Sequence, residues 1–378
     1  MMLALALATV VLASVVIMYA CDPFEDASGY LGRNMPPGVQ GATINAIASS
    51  LPELLTTTFL LFLYHDQDGF SGGVATCAGS AVFNAVIIPA LCIMAVMYKG
   101  VRQPDGSFKT VEFITLDKWT IMRDGAFFII AELALIFFLG DSTLTWWMGG
   151  GLMFIYLLYF GVLMYQMHVN GGEDEEEEDE DEDEDDDEEK SLIKQILTFD
   201  FNQLFFGGAD FNNTRAWIVL SSSVAVIAVA CWGLSWAVVE AANQLDVPLY
   251  FTTVILAAAA TSVPDTVISV RDAMDGDYDD AVANAVGSNI FDICVALGLP
   301  LMAYGLVYGD IEMASQFGDA ADVQILRWGL LATSVLVIGL FLFGKKVGKG
   351  KAILLFSLYI GWLGFVLWRA LQTTGVVA

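Results

Sequence analysis

The stretch GATINAIASSLPELLTTTF, residues 41–59, decides how this chain reads. It is apolar enough to belong to a membrane span, yet it carries Glu53 directly after a proline and close behind two serines. A charge at bilayer depth costs at least about 2.5–3.5 kcal/mol even on lenient insertion scales, so something must offset it. A second stretch repeats the pattern. Residues 48–54 read ASSLPEL and 260–266 read ATSVPDT; further on, 79–84 read GSAVFN and 287–292 read GSNIFD. Each half thus carries a proline–acid element followed by a Gly-Ser-X-X-Phe-Asn/Asp element. Pro52 to Gly79 is 27 residues and Pro264 to Gly287 is 23, the surplus falling around HDQDGFSGG.

The rest of the chain supplies the setting. A composition 56% hydrophobic with mean hydropathy +0.63 excludes a water-soluble domain. Apolar runs long enough to cross about 30 Å of hydrocarbon recur at roughly 2–20, 37–64, 72–98, 124–140, 144–168, 216–240, 248–271, 280–306, 325–344 and 350–371. They predict an all-α integral membrane protein of about ten transmembrane helices. The first run precedes Cys21 with a small residue, as a signal peptide would, but it lacks a basic leading region and is read as a retained helix. The two motif copies fall on the second and seventh runs, an odd offset, so they enter the membrane from opposite sides. That is a 5+5 inverted-topology repeat, the architecture of many secondary transporters, with the ion site near the midplane where the repeats meet.

The formal charge of −28 is uneven, because residues 173–189 are 17 consecutive acids. Outside them 27 acids face 16 bases, a balance of −11. Such a run cannot pack and predicts disorder. The expected organisation is therefore a first membrane half, 1–170, an acidic loop, 171–215, and a second membrane half, 216–378. The stretch SLIKQILTFDFNQLFF, 191–206, reads equally as a membrane-surface segment or as a partly structured linker. With the N-terminus outside, 14 of the 16 bases fall in cytoplasmic connections, leaving Arg327 and Arg369; the positive-inside rule selects that topology. It places the acidic loop in the cytoplasm and makes the sequon Asn212-Asn213-Thr214 unusable. No organelle signal is evident, so the plasma membrane is the default.

The cysteines, Cys21, Cys77, Cys92, Cys231 and Cys294, lie mostly in apolar runs without CxxC spacing and read as packing residues. His65 and His168 are far apart in sequence, and no nucleophile triad or phosphate-binding glycine loop stands out. Neither an enzyme nor a cofactor is expected, nor a nucleic acid or an obligate protein partner.

A proline inside a helix frees the carbonyl four residues back, here those of Ala48 and Ala260. Unpaired backbone at membrane depth survives where something polar satisfies it. Glu53 and Asp265 follow those prolines; Ser49, Ser50, Thr261 and Ser262 add hydroxyls on the preceding turn; Ser80, Asn84, Ser288, Asn289 and Asp292 come from the second element. Carboxylates, hydroxyls, amides and carbonyls form a hard-oxygen set, suited to calcium, sodium or potassium and poorly to zinc or copper. Glu53 and Asp265 balance one calcium ion. Asp292 adds a third charge, which potassium or a proton would balance. Thr56, Thr57 and Thr58 are read as packing residues, and Gly79 and Gly287 as points of close helix approach.

These residues resemble the calcium/cation antiporter superfamily, and within it the potassium-dependent sodium/calcium exchangers. GATINAIASSLPELLTTTF and GSAVFN resemble its first alpha-repeat, placed at 41–92; AAAATSVPDTVISV, GDYDDAVANAVGSNIFDI and ALGLP resemble its second, 253–300. ACDPFEDASGYLGR after the first run and the acidic central loop are similar to that branch as well. The resemblance implies an antiporter that exchanges sodium for calcium, and it leaves open whether potassium travels with calcium. It implies Glu53 and Asp265 as central ligands, assisted by Ser49, Ser50, Thr261, Ser262 and the carbonyls of Ala46 and Ala258. Ser80, Asn84, Ser288 and Asp292 would complete the set. HDQDGFSGG departs from the compact turn usual in relatives, and the short loop leaves no room for folded calcium-sensing domains. A proton-coupled calcium or other divalent exchanger on the same fold, and a calcium-binding membrane protein that transports nothing, remain rivals.

Overall fold

The computed structural model describes residues 1–33, 46–64, 67–103, 105–141, 143–169, 192–312, 320–344 and 346–373. Pro37, His65 and the acidic run 173–189 lie outside the described residues.

Among the described residues, ten long helical segments fall at the ten places the sequence marks. They are α1 (Met2–Gly32), α2 (Ala46–Tyr64), α3 (Gln67–Tyr98), α4 (Lys118–Phe138), α5 (Trp146–Val169), α6 (Asn213–Leu245), α7 (249–275), α8 (Tyr278–Tyr308), α9 (Ala320–Leu342) and α10 (Lys349–Thr373). Seven are each long and apolar enough to cross a membrane, and α7 passes as a bent pair, Leu249–Thr261 and Val263–Asp275, at 42°. The other two are α4, which carries Lys118, Arg123, Asp124 and Glu132, and α9, whose apolar stretch Trp328–Leu342 is shorter. Phe137 of α4 is nonetheless 71% exposed, the mark of a side that faces lipid.

The motif helices bend differently. Pro52 sits inside a continuous α2, whereas α7 breaks at Ser262 and restarts with Pro264 in its first turn. A π-helical turn, Thr253–Ala257, precedes that break, and another, Asp292–Leu297, interrupts α8. Such turns shift the ladder of backbone bonds and gather at functional sites.

Two large apolar bodies hold most of the bundle. One joins α1, α2, α6 and α7 through Ile17, Leu51, Leu60, Leu234 and Ala257. The other joins α3, α4, α5, α8, α9 and α10. Between them the middle of α3 is almost wholly buried, packing on α2, α7, α8 and α10. Gly79 makes one approach possible: a Cβ there would run into the Val254 carbonyl oxygen and sit 2.7 Å from the Ala258 Cβ. Gly287 does not play the matching part, since its nearest neighbour would be the Tyr159 hydroxyl at 3.7 Å.

The α1 helix runs past its expected end because Phe24, Ala27 and Ser28 are buried, continuing its packing along α6. Short helices Leu192–Leu197 and Phe201–Phe206 follow the undescribed acidic run. Phe201 packs on Ala27, Ala216 and Val219, so this stretch docks on the ends of α1 and α6.

The connections group by parity. Strand Phe113–Thr115, before α4, pairs with Lys346–Gly348, before α10. Arg102, after α3, meets Asp275 at the end of α7 at 3.2 Å, and Arg33, after α1, donates to Asn213 at the start of α6. On the other parity, Thr143–Leu144 pairs with Ile311–Glu312, joining the connection after α4 to that after α8. No odd connection is tied to an even one by any of these contacts, as alternating passage through a bilayer requires.

Candidate cation-binding site

The paired motifs meet in the interior. Ser49, Ser50, Glu53, Ser80, Asn84, Thr261, Ser262, Asp265, Ser288, Asn289 and Asp292 are all 0% exposed. Apart from Ala46, whose side chain is not described, every sequence-derived site residue lies in buried parts of α2, α3, α7 and α8.

The hydrogen bonds interleave the two repeats. Ser80 of α3 donates to Glu53 Oε1 at 2.9 Å, and its hydroxyl lies 2.7 Å from that of Ser262 on α7. The Asn84 amide donates to Asp265 Oδ2 at 3.0 Å and to the Ser288 hydroxyl at 3.3 Å. Asn289 donates to the Ala81 carbonyl at 3.2 Å, the residue holding its own place in the other repeat. The neighbours obey the same two-fold relation. Ser49 lies beside Asp265 as Thr261 lies beside Glu53, and Asp292 faces Ser50, Ser80 and Glu53.

What the cluster lacks is equally informative. Glu53 Oε2, Asp265 Oδ1, both Asp292 oxygens, Asn84 Oδ1 and Asn289 Oδ1 are buried without a well-formed hydrogen bond, and the hydroxyls of Ser49 and Ser50 close none either. Buried polar atoms normally find partners, so this concentration of orphaned oxygens is a donor set suited to a cation. No three carboxylate, thiol or imidazole groups converge on one point among the described residues. A bound cation would therefore draw on hydroxyls and amides as well as on carboxylates.

The backbone carbonyls are disposed unequally. The Ala48 carbonyl, freed by Pro52, faces the Cys21 thiol at 3.8 Å, and the Pro52 carbonyl faces the Cys231 thiol at 3.6 Å. The Ala258 carbonyl accepts the Ser262 amide at 3.1 Å and the Thr261 hydroxyl at 3.3 Å. The two thiols are the residues that sequence reasoning missed. They act across about thirty and about 180 residues of chain, and no local pattern announces such contacts. Thr58 bonds its own helix as a packing residue does, at 2.6 Å to the Leu54 carbonyl, while the buried Thr56 hydroxyl has no well-formed bond.

Two further buried acids stand apart from the cluster. Glu132 of α4 accepts the Ser334 hydroxyl of α9 at 2.6 Å. Asp124 is held by Arg123 at 2.7 Å and by the Tyr159 hydroxyl at 3.1 Å.

Comparison with known proteins finds the same architecture elsewhere. The family profile described as sodium/calcium exchanger protein matches residues 5–165 and 215–368. Sodium/potassium/calcium exchanger 5 of Homo sapiens is 26% identical over 356 aligned positions, covering 75% of this chain and 67% of that protein. Sodium/potassium/calcium exchanger 4 of Mus musculus is 32% identical over 129 residues, 34% of this chain. The match spans 18% of that relative's length. Among solved structures, the sodium-calcium exchanger NCX_Mj superposes with a TM-score of 0.55 at 20% identity, covering 95% of this chain and 97% of that one. At that identity the likeness is one of fold.

Proposed function

Because the chain belongs to the sodium/calcium exchanger protein family, we propose that it is a secondary antiporter in which sodium and calcium compete for the cluster around Glu53 and Asp265. The observation that carries this reading is the pair of fully buried carboxylates, one from each repeat, each keeping an unpartnered oxygen. Two buried like charges repel, and one calcium ion or two sodium ions would neutralise them. Bare charge crosses a membrane interior only at high cost, so the bundle switches its accessible side when the carboxylates are neutralised and stalls when they are not. That requirement couples the inward run of one ion to the outward run of the other.

The ligand set is Glu53 and Asp265 at the centre, with Ser49, Ser50, Thr261, Ser262, Ser80, Asn84 and Ser288 around them and Asp292 as a third carboxylate. The carbonyls of Ala46 and Ala258 complete it; the Ala258 carbonyl would release one of its present bonds to do so. Asp292 is the residue through which potassium would join calcium, a reading supported by relatives named sodium/potassium/calcium exchangers. The N-terminus lies outside and the acidic loop in the cytoplasm, at the cell surface. The parity of the connecting contacts supports alternating passage, and the distribution of lysine and arginine supports that hand.

The test is calcium-45 uptake into sodium-loaded proteoliposomes of the purified chain, diluted into sodium-free buffer with and without potassium. Uptake that needs the sodium gradient is the expected result. Uptake driven by a pH gradient and indifferent to sodium would replace the reading with proton coupling. Calcium binding without uptake would leave a non-transporting protein.

A further inference from the structure

We propose that a groove between the end of α3, strand Val101–Arg102 and the second half of α7 is a binding site for the phosphate headgroup of an anionic phospholipid. The groove encloses about 370 Å³, within the range of roughly 300–1,000 Å³ typical of ligand pockets. Its lining has two characters. Lys99, Arg102 and Arg271 bring three cations from three different elements, and Val267, Val270 and Met274 form an apolar wall along α7. An ion with a hydrocarbon tail matches both halves of that lining.

The charge balance favours an anion. Asp275 is the acidic residue of the lining, and it is engaged by Arg102 at 3.2 Å. Lys99 lies 5.5 Å from the Phe108 ring and Arg271 faces Asp22, so with both acids counted the groove keeps a surplus of one positive charge. That is the wrong sign for a cation route, although the groove reaches Thr266, next to Asp265. The basic side of the groove also has no sequence counterpart on the matching stretch of the first repeat. Residues 54–64, following Glu53, read LLTTTFLLFLY without a charge, where 266–275, following Asp265, read TVISVRDAMD. A feature present in one repeat alone lies outside the duplicated ion machinery. Its position at the parity face that gathers most of the bases is where basic pockets between membrane helices take lipid headgroups.

The test uses the full chain in phosphatidylcholine nanodiscs carrying spin-labelled phosphatidylglycerol, with electron paramagnetic resonance reading the fraction of label held at the protein. The protein should retain phosphatidylglycerol over labelled phosphatidylcholine, and K99Q and R271Q should each lower that preference about fivefold. The charge-keeping pair K99R with R271K should restore it, which separates lost charge from lost fold. Equal loss in K346Q with K349Q, bases of the same face outside the groove, would overturn the proposal in favour of diffuse surface charge. Displacement of the label by millimolar inorganic phosphate, dependent on Lys99 and Arg271, would overturn it in favour of a soluble anion. The readout needs no transport, so its failure and that of the exchange reading are independent.

Discussion

Glu53→Gln isolates charge from shape. The amide has nearly the volume of the carboxylate, and the Ser80 hydroxyl, 2.9 Å from Oε1, can turn to suit either. What is lost is one of the two negative charges at the centre of a buried cluster. A unit charge about 4 Å from a monovalent ion is worth about 4 kcal/mol at an effective dielectric constant of 20, and about twice that for a divalent ion. Several kcal/mol return because the carboxylate no longer has to be desolvated. A net loss of about 3 kcal/mol, or roughly a hundredfold in calcium affinity, is a conservative expectation. Calcium-45 uptake measured across a range of calcium concentrations reads it as a raised half-saturation or as no uptake. Glu132→Gln is the control, an equally buried carboxyl with a hydroxyl partner on another helix; its exchange should stay within about twofold of the parent, as for a substitution that keeps its hydrogen bond. Half-saturation within threefold of the parent in the Glu53 variant, with sodium dependence intact, would refute the coupling mechanism.

Asp292→Asn should leave sodium-driven calcium uptake in place and remove its response to potassium; an unchanged response would detach potassium from this residue. Gly79→Ala should lower the melting temperature in detergent, because its Cβ meets the Val254 carbonyl and the Ala258 Cβ, an overpacking of about 1–3 kcal/mol. Gly287→Ala should melt like the parent. Asp117 caps α4 by accepting the Thr120 amide at 3.0 Å, and that bond holds its carboxyl below the usual carboxylate range. The stability it lends is present at neutral pH and fades as pH falls through the depressed value. Asp117→Ala should therefore cost about 0.5–2 kcal/mol at pH 7 and progressively less below about pH 4, a difference that melts taken across that range would show.

The long apolar runs and the doubled motif were legible in the sequence because each is local. A membrane span is a composition over about twenty residues, and a repeat is visible wherever the same types recur in the same order. Legible too was which polar residues gather in the interior, since Glu53, Asp265, Asn84 and Asp292 are conspicuous in apolar surroundings. The unequal fate of the two prolines was not. Pro52 remains within a continuous helix where the Cys21 and Cys231 thiols, from α1 and α6, face the Ala48 and Pro52 carbonyls; α7 breaks ahead of Pro264. Those partners come from distant chain, and nothing around either cysteine marks it. The pairing of Phe113–Thr115 with Lys346–Gly348 is hidden for the same reason, being three residues long and more than two hundred apart.

The bond between Glu132 and Ser334 spans 202 residues of chain, and that separation has a meaning in time. At roughly 5–20 residues per second of synthesis, about 10–40 s pass between the emergence of one partner and the other. Through that interval Glu132, on the buried side of α4, lacks its α9 partner. The buried side of α4 thus stays without this partner until α9 has been made. Truncation before α9 should yield a chain that quality-control proteases recognise by its α4, even though every residue of the buried polar cluster has already been synthesised.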